Sequence, residues 1–185
     1  MFYVCKRTST GISSVPLQSI EFNKRIIYID DEITHPLADR FIEQILYLNG
    51  LSNDKITVFI NADGTQTTAA MGICDIISLS TAPIRMICTC RASNMAAVIF
   101  MLADERIMFP SAILSFEQIE RQMGFVSASA DNLKSLLPGV SKKAITFIRQ
   151  KKIITAQDAI RYDLADKICD SSDLNCQERG SGLWI

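Results

Sequence analysis

The chain has 185 residues, of which 48 % are hydrophobic and 21 % charged. That is enough for one domain with its own core and excludes a disordered chain. Lys plus Arg is 19, Asp plus Glu is 20, and the formal charge is −1, so no basic surplus exists to hold phosphates and no nucleic-acid partner is expected. The longest unbroken apolar run, Met95–Ala103, is far shorter than the ~20 residues that span a bilayer. No membrane partner is expected, and the first residues do not read as a signal peptide.

His35 is the only histidine, which excludes histidine-rich metal sites and any mechanism built on several imidazoles. Six cysteines (Cys5, Cys74, Cys88, Cys90, Cys169 and Cys176) form no CxxC pair. Cys88 and Cys90, two apart in a strand-like run, are expected to share a face. They lack the further ligands zinc would need. Reduced buried thiols in a cytoplasmic protein are the expectation, with no metal and no cofactor.

In chain order, Lys24–Asp30 reads as a β-branched, aromatic strand. A turn follows, and Pro36 opens an amphipathic helix to about Leu48, with Leu37, Phe41, Ile45 and Leu48 on one face. Ile56–Asn61 is a second buried strand. Gly64 lies in the turn after it, and Thr68–Ser78 is a second helix. Pro83–Thr89 is a strand and Ala92–Ala103 a small-residue apolar helix. Glu105–Phe109 and Ala112–Phe116 are short strands split by Pro110. This strand–helix alternation predicts an α/β domain with parallel crossovers. Beyond Phe116 the chain turns polar as far as Gly139. Ser141 is placed to cap a helix over Lys142–Lys151, and Thr155 one over Ala156–Tyr162. Leu164–Ile168 is a last short strand. The expected organisation is an N-terminal segment over 1–21, a domain over 22–170 and a tail over 171–185, in which Leu183 and Trp184 are candidate anchors in a neighbour's groove.

These segments, taken with particular residues, resemble the proteolytic subunit of the Clp protease, ClpP. The blocks that carry the likeness are Thr8–Gly11 with Arg25–Ile29, Phe59–Thr65 (FINADGT), Ile87–Ala97 (ICTCRASNMAA), Phe109–Gln118 and Thr155–Asp166 (TAQDAIRYDLAD). The resemblance implies a ClpP/crotonase-like fold of repeated β-β-α units. It also implies rings of subunits, often stacked in pairs, that work with a Clp ATPase. The family's handle, which interlocks two rings, falls between Glu117 and Lys151. Here that interval is shorter and holds Pro138 and Gly139, so the handle is expected to be truncated.

The resemblance also locates the positions where a serine protease keeps its nucleophile, base, orienting carboxylate and oxyanion donors. The nucleophile position holds Asn94, whose amide cannot form an acyl-enzyme. The histidine position holds Glu117, and the aspartate position holds Lys151. The oxyanion turn is Ala62-Asp63-Gly64-Thr65, with Thr65 at the second glycine position, while the Met95 N–H still stands as a donor. Ser93, next to Asn94, is the fallback nucleophile, but a neighbouring position points elsewhere. Glu117 and Lys151 are expected to pair in the vacated pocket. His35 is expected on the surface or at a cap, away from the strand ends.

The expectation is therefore a catalytically inactive ClpP-like subunit, in a homo-oligomer or in a mixed ring with catalytic ClpP subunits, in a structural or regulatory role. Two alternatives stay open. One is an active serine peptidase with rearranged residues, Ser93 with Lys151 as its base. The other is a crotonase-type acyl-thioester enzyme using Glu117.

Overall fold

Parallel strands need helical crossovers, and the chain supplies them in strict alternation through its first half. A computed structural model of the chain describes residues 2–8, 11–117, 119, 134, 136–137 and 139–174. Most of the expected handle interval, part of the Thr8–Gly11 segment, and Cys176, Leu183 and Trp184 in the tail lie outside the described residues.

The N-terminal segment forms an antiparallel hairpin, β1 (Tyr3–Thr8) and β2 (Gly11–Pro16), followed by α1 (Leu17–Asn23). The sequence pattern does not announce this hairpin. The body follows as β3 (Ile26–Glu32), α2 (His35–Leu51), β4 (Ile56–Gly64), α3 (Thr67–Leu79), β5 (Ile84–Asn94) and α4 (Met95–Met101). Then come β6 (Glu105–Met108), β7 (Ile113–Ser115), α5 (Lys142–Gln150), β8 (Ile154–Thr155), α6 (Ala156–Arg161), β9 (Lys167–Ile168) and α7 (Ser171–Leu174). The main sheet runs β3-β4-β5-β6-β9, all parallel, with β7 added parallel to β5 and β8 antiparallel to β7.

The predicted face of α2 does the packing. α2 buries Leu37, Ala38, Phe41, Ile45 and Leu48, and α3 buries Ala69, Ala70, Ile73, Cys74 and Ile77. Every residue of α4 is buried, as an apolar helix in the middle of a core requires. Arg25 ties the first crossover together. Its guanidinium donates to the carbonyls of Leu48, Ser52 and Asp54 at 2.8–3.1 Å, at the end of α2 where helix carbonyls lack partners within the helix. Ser141 and Thr155 cap α5 and α6 as expected, accepting from the Ala144 and Asp158 N–H groups.

β5 departs from the expectation. Ile60 of β4 pairs with Cys88, but Ala62 pairs with Ala92, so β5 carries extra residues around Thr89–Arg91. This bulge turns Cys88 into the core and Cys90 to solvent, and the two do not share a face. It is also where β5 changes partner, from β6 below to β7 above. Ala92–Asn94 finish the strand, so α4 starts at Met95 and not at Ala92. As a result β3, β4 and β5 all end on one edge of the sheet, the edge where open α/β sheets place their sites.

Candidate functional site

Asn94 forms a sharp corner between β5 and α4, with φ 56° and ψ −126°. A non-glycine residue held there costs about 1–3 kcal/mol and persists only when its neighbours fix it. Gly64, its register partner on β4, is the main one. A Cβ on Gly64 would sit 2.4 Å from the Ala96 nitrogen and 2.7 Å from the Met95 Cβ. Only glycine lets β4 approach the start of α4 this closely. Asn94 is 5 % exposed, and its Nδ2 donates to Asp63 Oδ1 at 2.8 Å. Asp63 is also 4.0 Å from the Arg91 guanidinium. The Met95 N–H stands at the first position of α4, where helix N–H groups have no partner within the helix. Ser93 is buried in the ladder between Asp63 and Ser115. It is a strand residue one step before the corner.

β7 runs beside the end of β5, so Phe116 and Glu117 continue alongside the corner. β8 returns antiparallel to β7, which brings Lys151 and Lys152 back to Glu117. Phe116, Glu117, Ile119, Ile148, Lys151 and Lys152 line a cavity of about 270 Å³. The expected partnership is corrected here. Glu117 Oε1 pairs with Lys152 Nζ at 2.8 Å, and Lys151 Nζ donates to Asp158, the residue that Thr155 caps. Lys151 lies 5.5 Å from the Phe147 ring centre, which draws its nitrogen toward α5 and α6. The hydrogen bond from Lys151 holds the Asp158 carboxyl below the usual carboxylate range, and the bond to Glu117 raises Lys152. Lys151 and Lys152 are thus each engaged by a carboxylate.

A third group lines the rim at the ends of β3 and β4. The Thr65 hydroxyl donates to Glu32, and Thr65 is not in the left-handed region. His35 opens α2 directly after β3, and its Nε2 lies 3.3 Å from the Thr68 hydroxyl in the first turn of α3. The expectation that His35 stands away from the strand ends does not hold, because the β3–α2 connection is too short to carry it off that edge. Asp31, Glu32, Asn61, Asp63, Thr65 and Arg91 border an open cavity of about 400 Å³. Among the described residues no group of three His, Cys, Asp or Glu side chains is placed to hold a metal ion. Burial pushes the Cys74 and Cys88 thiols up to about 12, so neither supplies a thiolate at neutral pH.

The structure therefore brings Asn94, Gly64, Thr65 and Met95 together at one corner, and Glu117 with Lys151 around the adjoining cavity. Three contributors escape sequence reasoning: Asp63 as partner of Asn94, Lys152 as partner of Glu117 and Asp158 as partner of Lys151. The last carries a signal, because a capping Thr155 and Asp158 in one helix turn place a carboxylate next to whatever precedes them.

A family model described as Clp protease matches residues 11–172. The chain is 29 % identical over 190 residues to the ATP-dependent Clp protease proteolytic subunit 1 of Chlamydia felis, covering 92 % of this chain and 93 % of that one. It is 30 % identical over 151 residues to proteolytic subunit 2 of Bacillus licheniformis, covering 80 % and 76 %. Among solved structures, the ClpP protease catalytic domain from Plasmodium falciparum superposes with a TM-score of 0.70 at 24 % identity, covering 84 % and 91 %. ClpP1 from Listeria monocytogenes gives 0.69 at 22 %, covering 85 % and 98 %. The fold is that of ClpP catalytic domains.

Proposed function

The chain belongs to the Clp protease family, and from that premise we propose that it is a catalytically inactive subunit with a structural or regulatory role in a Clp-type ring. One observation carries the reading: the corner that should present a hydroxyl presents an amide, and that amide is already bonded to Asp63. An amide has no ionisable hydroxyl and forms no acyl-enzyme. The surroundings support the same reading. Glu117 is in an ion pair with Lys152, and Lys151 is in one with Asp158, so neither is left to take a proton from Ser93. The crotonase-type reading would need Glu117 as its base and meets the same pairing, with the Thr65 side chain at the second glycine position of the turn.

Assembly is supported by the outer faces of α2 and α3, which expose Leu46, Tyr47, Leu51 and Leu79. Exposed apolar side chains on neighbouring helices are what a contact with another subunit would cover. The subunit would act as a homo-oligomer or within a mixed ring with catalytic relatives, with a Clp ATPase as partner, in the cytoplasm. Among the described residues no helix is long and apolar enough to cross a membrane. A shortened handle between Glu117 and Lys151 would weaken ring stacking while leaving lateral contacts. The subunit would need no cofactor and would comprise an N-terminal segment over 1–21, a domain over 22–170 and a tail over 171–185.

The test has two arms on the purified full chain. A fluorophosphonate probe leaves it unlabelled and model peptides stay intact. Native mass spectrometry shows oligomers, alone or with a catalytic relative. Labelling at Ser93 overturns inactivity, and a strict monomer under both conditions overturns the ring role.

A further inference from the structure

We propose that Asn94 is a self-modifying residue: its side-chain amide closes onto the Met95 backbone nitrogen to form a succinimide, which water then opens to a carboxylate. The backbone carries the argument. Around the Cα–C bond, Cβ stands a third of a turn from the residue's own nitrogen. At ψ −126° the Met95 nitrogen therefore lies almost eclipsed over the Asn94 Cβ. A five-membered ring through Cγ closes from that arrangement. Helical and extended backbones, with ψ near −42° and +135°, hold the next nitrogen well away from it. Unfolded chains must find this rotation, whereas here the corner imposes it, because Gly64 packs against Met95 and Ala96.

Asp63 completes the site. Its Oδ1 accepts from Nδ2 at 2.8 Å, which fixes the rotation of the amide and puts a carboxylate at the nitrogen that must leave. Asp63 also borders the open cavity of about 400 Å³, which gives water a way in and ammonia a way out. The Met95 nitrogen gives up its proton to solvent base and attacks Cγ. The Cγ–Nδ2 bond breaks, and Nδ2 takes a proton relayed by Asp63 and departs as ammonia. Water then adds to one of the two ring carbonyls, and the bond from that carbon to the Met95 nitrogen breaks as the nitrogen regains its proton. Opening at Cγ gives aspartate, and opening at the main-chain carbonyl gives isoaspartate. No oxidant or reductant is involved. The product places a second carboxylate beside Asp63.

The experiment follows peptide masses of the purified full chain over time in heavy-oxygen water, folded and in urea at the same pH and temperature. Asn94 is expected to convert at least about tenfold faster in the folded chain, as imposed geometry requires, with heavy oxygen incorporated at residue 94. Asn49 in α2 and Asn61 in β4 are internal controls, expected to convert more slowly folded than unfolded. Asp63→Ala is expected to bring the folded rate of Asn94 down toward the unfolded one. Conversion of Asn94 no faster in the folded chain overturns the proposal. A folded Asp63→Ala chain that converts at the parent rate overturns the part given to Asp63. The readout is mass, so it stands apart from the question of peptidase activity.

Discussion

The corner at Asn94 and the flank around Glu117 belong to one candidate site but are built in opposite ways. The corner is buried, its backbone is strained, and its shape is set by Gly64 against α4. The flank is open and made of long charged side chains, Glu117 with Lys152 and Lys151 with Asp158. Dense packing fixes a backbone whatever the side chain at the apex. Solvated ion pairs fix almost nothing and contribute little to stability. Shape and charge are therefore held in different ways: packing sets the geometry of the corner, while the charged groups of the flank are engaged with one another.

Restoring the chemistry is the strongest way to break this contrast. Asn94→Ser alone is expected to leave the chain unlabelled by a fluorophosphonate, because the flank supplies no base. Asn94→Ser with Glu117→His and Lys151→Asp is expected to raise labelling and peptide cleavage by at least about 10³-fold, the scale on which triad members act together. Labelling of the single variant would show that the flank still holds a proton acceptor. Failure of the triple variant would show that the corner is not shaped for attack.

The packing side is probed by Gly64→Ala. Its Cβ has no room beside Met95 and Ala96, so a loss of about 3 kcal/mol is expected in denaturant unfolding. A neutral result would mean that β4 and α4 separate easily and that the corner is not imposed.

The smallest effect belongs to the flank. Lys151→Ala removes the hydrogen bond that lowers the Asp158 carboxyl, so its NMR titration should move up toward the usual carboxylate range. The sign follows from linkage. A lowered folded pKa contributes stability above the unfolded value, and this is lost as pH falls through the folded one. The parent and the variant should therefore differ slightly at neutral pH and converge well below about pH 4. An unmoved Asp158 would contradict the pairing.

The body of the fold is readable in the sequence because its periods are clean: the spacing of Leu37, Phe41, Ile45 and Leu48 is enough to mark α2, and Ser141 and Thr155 announce α5 and α6. What depends on register is hidden. No local pattern shows that β5 gains residues between Cys88 and Ala92, so strict alternation misassigns the faces of Cys88 and Cys90 and starts α4 too early. Positions in the site are legible through resemblance, but partners are not. Lys151 and Lys152 are adjacent in sequence, and only the return of β8 along β7 decides which of them meets Glu117. The place of His35 is hidden for a similar reason, because its proximity to Thr68 depends on two crossovers ending at the same edge.

Since Gly64 holds the corner through the space a side chain would fill, replacing the apex residue should disturb folding less than replacing Gly64, the loss of the Asp63 hydrogen bond being its main cost. Gly64 carries the architectural obligation instead. An alcohol, an amide or an acid at the apex would meet the same packed scaffold, so exchanging one for another calls for no rebuilding of the subunit around it.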